Sequence, residues 1–486
     1  MPDNNIAIIG AGLAGSLLSI YLARRGFKVS VYEARGDMRK DAVEAGRSIN
    51  LALSDRGIAA LREVGMDAYM LAEAVPMFGR MIHDRSGATK LLPYSGRKGE
   101  YINSISRSGL NIALMNEADK YDNVTFHFNE RCTRFDVESG KVQFEGSAAS
   151  GKSASSLLPE TVIATDGAGS PVRQAMESQM PGFSSTSVFL DHGYKELHIP
   201  PGKNGDFLLE KNALHIWPRN KFMMIALPNF DGSFTCTLFL AHSSSGGNAS
   251  VNERASGSPP YEKGVALTSG NGAVPSPAFD GLTDEASVID FFTREFPDAV
   301  PLMPTLIEDF FANPTGLLGT VKCWPWNADG KVLLLGDSAH AVVPFYGQGM
   351  NCAFEDVRVL DQLIEKQLST PADPFTWQTV YEEYGGLRKV NTDAIADLAE
   401  ENFYEMRDRV ADPVFQRKRE LETKLEQQFP GYFSKYSMVT FREDMPYSEA
   451  QRRGNAQDAF LMKICAAVDS VDELNLDEVM RELSLT

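Results

Sequence analysis

Cysteine is scarce in this chain. Five residues in 486, Cys132, Cys236, Cys323, Cys352 and Cys465, are scattered with no CxxC pair and no pairing rhythm. That argues against a disulfide framework and a structural metal, and it suits a reducing compartment. Basic residues are also in deficit: 47 Lys and Arg stand against 65 Asp and Glu, a net charge of −18. Neither nucleic acid nor an anionic membrane is therefore expected as the main partner. Long apolar runs are missing as well. None approaches the roughly 18–20 residues that span a bilayer. Ile6-Ala7-Ile8-Ile9 passes straight into glycines, the mark of a strand rather than a secretory leader. A soluble, cytoplasmic protein with no membrane anchor in this chain is the expectation. No nucleophilic triad, metal-ligand cluster or paired carboxylate occurs at a recognisable spacing, so no side chain is expected to be the catalyst and no metal is expected.

What is present is glycine beside strands. Ile6–Ile9 leads directly into Gly10-Ala11-Gly12-Leu13-Ala14-Gly15, a helical period runs through Leu17, Leu18, Tyr21 and Leu22 to Gly26, and a second strand, 28–32, ends at Glu33. Strand, glycine turn, helix, strand and acid at these distances form the dinucleotide fingerprint. The glycines allow the tight turn and close approach to a pyrophosphate, and Glu33 falls where ribose hydroxyls would lie. Two more strands end in an acid beside glycine: 161–165 before Asp166-Gly167, and 331–335 before Gly336-Asp337. After the latter, a loop with Pro344, Gly347 and Gly349 feeds a helix opening at Met350-Asn351, whose free N–H groups suit an electron-rich partner. Only one Rossmann fingerprint is present. Unaided, these patterns stop at an FAD or NAD protein.

The rest of the chain supplies the organisation. Residues 75–94 partly alternate and read as a β-hairpin carrying Arg80, His83 and Tyr94. Helices are expected over 55–64 and from about 107 to 120, and again over 285–296 and 303–311. Strands are expected over 124–129, 137–144 and 322–326, with 147–156 a loop. Strands dominate 182–240 and suggest an antiparallel sheet with one face turned to a ligand. Residues 243–281 are rich in Ser, Gly, Asn and Pro and read as a flexible surface insertion. Beyond residue 355 the pattern is nearly all helical.

Taken together, Gly10 to Gly15, Asp166-Gly167 and Gly336-Asp337 resemble the three fingerprints of the single-component FAD aromatic hydroxylases, the p-hydroxybenzoate hydroxylase class. Within that class, several blocks are similar to the branch acting on L-kynurenine. They include Arg47-Ser48-Ile49-Asn50-Leu51-Ala52-Leu53, Gly79-Arg80-Met81-Ile82-His83, His215-Ile216-Trp217-Pro218-Arg219-Asn220, Pro344-Phe345-Tyr346-Gly347-Gln348-Gly349-Met350-Asn351 and Tyr436-Ser437-Met438-Val439-Thr440-Phe441. The resemblance implies FAD as cofactor, NADPH as a transient co-substrate arriving from outside, and O₂. It also implies electrophilic transfer of oxygen to the ring of L-kynurenine through a flavin C4a-hydroperoxide. The cofactor does the hard chemistry, and the protein supplies position, dryness and electrostatics.

The fold class implied is α/β: a Rossmann-type FAD-binding fold, an antiparallel β-sheet substrate domain and a C-terminal helical region. Its boundaries are 1–75, 101–180 and 321–375 for the cofactor domain, 76–100 for the hairpin, 181–320 for the sheet domain and 376–486 for the helices. The resemblance assigns Gly10, Gly12, Leu13, Ala14, Gly15, Glu33, Arg35, Arg47, Leu53, Arg107, Asp166, Asp337, Gly347, Gly349, Met350 and Asn351 to the cofactor. To the substrate it assigns Arg80, Tyr94 and Tyr436 at the carboxylate, and Asn402, Glu405 and Met406 near the polar end. Met223, Leu227, Phe239, Pro344 and Phe345 would surround the ring. His340 is left without a role, and Tyr346 stands where some relatives have histidine or phenylalanine. A homodimer is left open. Another aromatic acid as substrate, a reductase, or a non-enzymatic GDI-like binder would keep the same glycine fingerprint.

Overall fold

The computed structural model describes residues 5–40, 50–146, 154–244, 277–370, 374–410 and 412–484. Most of the 243–281 insertion, together with Arg47, lies outside them.

Ile6, Ala7, Ile8 and Ile9 are all buried, as a strand must be when helices cover both faces of a parallel sheet. Among the described residues that sheet has six strands. Asn5–Ile9 lies between Lys28–Glu33 and Thr161–Ala164, with Val124–Phe128 beyond the former and Val332–Leu334 then Asn327–Ala328 beyond the latter. Every pair is parallel except the last. The helix Leu13–Arg24 is buried along nearly its whole length, wedged between this sheet and the helices Arg107–Ala118 and Gly349–Leu368. Two glycines make that fit. A side chain at Gly10, which has φ +103°, would meet the Thr165 carbonyl at 2.6 Å, and one at Gly15 would overlap the Gly10 carbonyl.

A seven-stranded sheet covers the C-terminal ends of these strands. Its order is Gly316–Trp324, Ser184–Ile199, Phe234–Ala241, Met223–Pro228, Ala213–Pro218, Gly79–His83 and Thr89–Pro93. All pairs are antiparallel except Ala213–Pro218 with Gly79–His83. Period two divides its side chains. Met224, Ala226, Leu238 and Leu240 pack with Phe291, Phe292 and Phe310 of the helices Glu285–Glu295 and Leu306–Ala312. Met223, Ile225 and Phe239 face the opposite way, toward the cofactor domain and the C-terminal helices. Among the described residues no helix is long and apolar enough to cross a membrane.

Local expectations fail where turn chemistry intervenes. The strand expected over 137–144 begins only at Lys141, as Lys141–Gly146, and pairs with a strand not expected, Glu130–Asp136. Asp136 Oδ1 accepts from Ser139 N at 2.8 Å and Gly140 turns at φ 76°, so Val137 opens a turn. Ser155 and Ser156, expected as loop, belong to the strand Ser155–Leu157, which pairs with Val142–Phe144. The helix expected over 303–311 begins at Leu306, after Pro304. The strand expected over 322–326 is the end of Gly316–Trp324, stopped at Pro325.

A line of buried charge joins the helices to the cofactor domain. Arg388, on Trp377–Tyr404, donates from Nε to Asp356 Oδ1 and from Nη1 to Glu355 Oε2, both at 2.7 Å. Asp356 Oδ2 lies 2.7 Å from His340 Nε2, and Glu355 Oε1 accepts from Arg56 Nη1 at 2.7 Å. Burial alone would raise the Asp356 carboxyl, but His340 and Arg388 hold it down at about 2. Removing Arg388 would take a guanidinium from two interior carboxylates, leaving Asp356 with only His340 beside it and Glu355 with only Arg56. Arg388→Met should therefore cost about 3–5 kcal/mol, read by urea unfolding of the holoprotein. A loss below about 1 kcal/mol would show that these ion pairs do not hold the helices in place.

Candidate active site

A cavity of about 1090 Å³ runs between the cofactor sheet, the cover sheet and the C-terminal helices. It exceeds the roughly 300–1,000 Å³ of ordinary single-ligand sites. Its lining changes character along its length.

At the first end lie Gly10, Gly12, Leu13, Ala14, Glu33, Arg35, Arg107, Asp166 and Asp337. Gly12 caps the helix Leu13–Arg24 with no side-chain bond, and that helix has no acid in its first turn. Its orphan N–H groups and positive dipole end are left for an anion. A Cβ on Gly12 or Gly167 would meet no protein atom within 4 Å and would enter the cavity instead. Glu33 is buried, accepting from Ala11 N at 3.0 Å and from Arg35 N and Nε at 2.9 and 2.8 Å. Burial opposes its charge, but the Arg35 contacts prevail and keep its carboxyl below the usual range. Asp166 differs: neither carboxylate oxygen has a hydrogen-bond partner, and burial pushes it up to about 6. Asp337 follows Gly336, which turns at φ 65°, and is exposed on the cavity wall.

These features fit FAD. The glycine cradle, the uncapped helix and the unpaired acids suit its pyrophosphate and polyol. A second helix, Gly349–Leu368, also opens without a side-chain cap or first-turn acid, and its Gly349 and Met350 line the same cavity. Asn351 does not reach the wall. It is fully buried, accepting from Ser54 N at 3.0 Å and donating to the Ala52 and Gly347 carbonyls at 2.8 Å each. It therefore holds the loop that does face the cavity. Gly15 also stays behind the wall, as helix packing, and Leu53 is core.

The other end is an apolar slot closed by one cation. Leu214, Ile225, Leu227, Phe239, Phe345 and Met406 form its sides, with Pro344 at the loop. Phe345 lies 4.9 Å from Phe239 and 4.4 Å from Phe403, ring to ring, and its carbonyl accepts from Asn402 Nδ2 at 2.6 Å. Arg80, Tyr94 and Tyr436 close the end. Tyr94 and Tyr436 stack at 5.1 Å and 8°, and the Arg80 guanidinium sits 5.1 Å from the Tyr436 ring centre. Arg80 Nε and Tyr94 Oη are buried and lack hydrogen-bond partners. Burial raises both phenols, so each keeps its proton at neutral pH. Three polar groups with two unmet donors, at the end of a dry slot, suit a carboxylate.

Glu405 stands behind this cluster, 3.6 Å from Arg80 Nη1, on a π-helical turn Glu405–Arg409 that ends the long helix. It and Asn402 line a small polar pocket of about 20 Å³ beside the slot, room for about one water. Met223 is core beneath the slot. His340 lies under Trp326 at 5.3 Å, away from the cavity wall. It comes together with Cys352 and Asp356, yet Arg388 stands 3.4 Å from Cys352 Sγ and bonds Asp356, which opposes a metal cation. Ile225 and Thr237 on the wall carry no site expectation from the sequence, and Tyr346, weighed there without a role, lies on it too. Period two could have found the first two, from Leu227 and Phe239.

The cofactor end is open to direct test. Gly12→Val should fold normally but retain less than about a tenth of the FAD, whereas Gly15→Ala should fail to fold. Equal FAD content of purified Gly12→Val and wild type would remove Gly12 from the cradle. Asp166 has a folded value of about 6 against an ordinary 3.8, so the folded chain holds this proton more tightly than the unfolded one. The penalty for ionising it is absent below about pH 4, grows to about pH 6 and is complete above. Asp166→Asn should therefore stabilise the FAD-free protein by about 2–3 kcal/mol at pH 7.5 and far less at pH 4.5, checked by denaturant unfolding at both.

Comparison with known proteins accords with this geometry. The model of the FAD binding domain family matches residues 3–228 and 323–383. The kynurenine 3-monooxygenase of Myxococcus xanthus (strain DK1622) is 44% identical over 474 residues, 97% of this chain and 93% of that protein. That of Stenotrophomonas maltophilia (strain K279a) is 42% identical, covering 97% and 95%. That of Dictyostelium discoideum is 40% identical, covering 98% and 95%. Among solved structures, 2-methyl-3-hydroxypyridine-5-carboxylic acid oxygenase superposes with TM-score 0.61 at 18% identity, over 87% of this chain and 97% of that one. A single-residue variant of Klebsiella pneumoniae HpxO complexed with FAD gives 0.60 at 18%, over 86% and 94%. These two show the fold alone. The full-length relatives go further: the chain belongs to the kynurenine 3-monooxygenase family of FAD-dependent aromatic hydroxylases.

Proposed function

We propose that this chain hydroxylates L-kynurenine to 3-hydroxy-L-kynurenine with NADPH and O₂. The observation that carries the reading beyond the family is the pair of buried, unmet donors, Arg80 Nε and Tyr94 Oη, closing an apolar slot that opens onto the FAD cradle. Kynurenine is a small aromatic ketone with a carboxylate at one end, and it matches such a slot end for end.

Bound FAD supplies the redox chemistry, two-electron reduction by NADPH and activation of O₂. The side chains do the rest. Arg80 and Tyr94 donate to the carboxylate, and Tyr436, stacked on Tyr94, completes the cradle. Phe239, Phe345, Leu227 and Met406 exclude water from the ring, and Asn402 holds the Phe345 backbone in place. The N–H groups at the start of Gly349–Leu368 lie where negative charge on a reduced cofactor is favoured. The ring amino group of the substrate activates the carbon beside it, so the step needs no protein base. A cytoplasmic location belongs to the same reading.

The test is NADPH oxidation with and without L-kynurenine, the product identified by mass. A gain of one oxygen in step with NADPH use is expected, and no gain refutes the substrate. Arg80→Ala should weaken kynurenine binding by about 2–5 kcal/mol, as loss of one partner of a desolvated charge pair does, with FAD content unchanged. Wild-type affinity in that variant would take Arg80 out of the site.

A further inference from the structure

The carboxylate cradle and the loop facing the cofactor are joined by contacts that the reaction itself does not use. Tyr436 stands on the short helix Lys435–Thr440. Three residues on, the Val439 carbonyl accepts from Arg56 Nε at 3.1 Å. Arg56 is 1% exposed on the helix Asp55–Glu63 of the cofactor domain. Its other nitrogens bond Glu355 Oε1 at 2.7 Å and the Met445 carbonyl. Its guanidinium also lies over the Tyr447 ring, 4.0 Å from the centre. A buried guanidinium reaches both ends of the segment linking the Tyr436 helix to the next helix, Tyr447–Ala466.

Tyr447 then returns the connection to the cofactor loop. Its hydroxyl donates to Gln348 Oε1 at 3.0 Å, and Ser54 Oγ donates to the same oxygen at 3.3 Å. Burial holds the Tyr447 phenol well above its ordinary range, so it remains a donor. Gln348 is buried between Gly347 and Gly349, both on the cavity wall. Two residues earlier in the same loop, Tyr346 stacks on Tyr436 at 5.6 Å and 15°. The C-terminal segment 436–447 therefore grips the loop 344–349 twice, by a ring at one end and a hydrogen bond at the other, with Arg56 fixing the span between.

We propose that Tyr447 and Arg56 are positioning residues that couple occupancy of the carboxylate cradle to the backbone of the cofactor loop through Gln348. A carboxylate bridging Arg80, Tyr94 and Tyr436 steadies the helix Lys435–Thr440. That helix steadies the Arg56 contacts at Val439, Met445 and Tyr447. The Tyr447 hydroxyl then holds Gln348, and with it Gly347 and Gly349. The direction of coupling rests on kynurenine being the occupant; the grip on the loop does not.

Tyr447→Phe removes one hydroxyl and leaves the ring beneath Arg56. Hydrogen–deuterium exchange of the holoprotein reads the grip without turnover. In the absence of ligand, amides of residues 344–351 should exchange about five- to tenfold faster than in wild type, the factor expected for one buried hydrogen bond. Residues 5–33 should be unchanged. Gln348→Leu, which also loses the bond from Ser54 Oγ, should exchange at least as fast, and Tyr447→Phe should add nothing to it, because the bond it removes is already gone. With L-kynurenine, wild type should gain protection over both 435–447 and 344–351, and Tyr447→Phe over 435–447 alone. The proportion of NADPH oxidation that yields hydroxylated product should fall in that variant. Unchanged ligand-free exchange, additive variants, or ligand protection of 344–351 in Tyr447→Phe equal to wild type would each overturn the proposal. Loss of the loop's protection in the ligand-free variants, with no response of wild type to kynurenine, would uphold the grip and refute the substrate.

Discussion

The run of buried ion pairs from Asp356 through Arg388 and Glu355 to Arg56, with His340 against Asp356 at one end, is the constraint on which the rest of the structure turns. Two of its members sit on adjacent residues of the helix Gly349–Leu368, whose N-terminus faces the cavity. Its arginines come from the first and the last thirds of the chain. Replacing such an array with apolar groups need not destabilise a fold, but breaking it leaves naked charge inside. Its value is therefore geometric. Each guanidinium offers donors in a rigid plane, so the cofactor helix, the long helix Trp377–Tyr404 and the segment 439–447 can meet in few other arrangements.

That rigidity explains how the site can hold unmet polar groups. In the charge chain, Arg388 and Arg56 spend their donors on Asp356, Glu355 and nearby backbone carbonyls. The two ends of the cavity differ: Asp166 keeps two bare oxygens, and Arg80 and Tyr94 keep bare donors. An interior tolerates such groups only where something else enforces the backbone around them. The glycine contacts at Gly10 and Gly15 enforce it at one end, and the stacked tyrosines with the Arg56 contacts at the other.

How much of this was legible in the sequence follows from its range. The strand–glycine–helix–strand start and the Asp166 and Asp337 turns are local patterns, and they appear where expected; the slot residues Leu227, Phe239 and Phe345 are named by the resemblance alone. Leu53, Met223 and Asn351 are assigned to the site by the resemblance, not by a local pattern. Side-chain direction separates them from the wall: two point to core and one braces a loop. Gln348, Arg56 and Tyr447 left no local signal at all. Arg56 looks like any helix arginine until residues 355, 439 and 445, some 300 to 390 positions away, fold back onto it. The missed boundaries at Val137 and Pro304 are turn chemistry that overrides an otherwise suitable pattern.

The loop after Gly336-Asp337 thus carries two duties on neighbouring residues because its conformation is determined from three sides. Asn351 ties it to the Ala52 carbonyl, Asn402 holds the Phe345 carbonyl, and Tyr447 holds Gln348. Each brace comes from a different part of the chain, so no single element could relax without disturbing the others. With its backbone held this way, the loop can present Pro344 and Phe345 to the substrate slot. It can also present Gly347 and Gly349 to the cofactor, where a side chain at Gly347 would collide with Ala52 at 2.9 Å. Glycine there is a packing requirement of the protein, and the close approach it permits to a ligand follows from that same requirement.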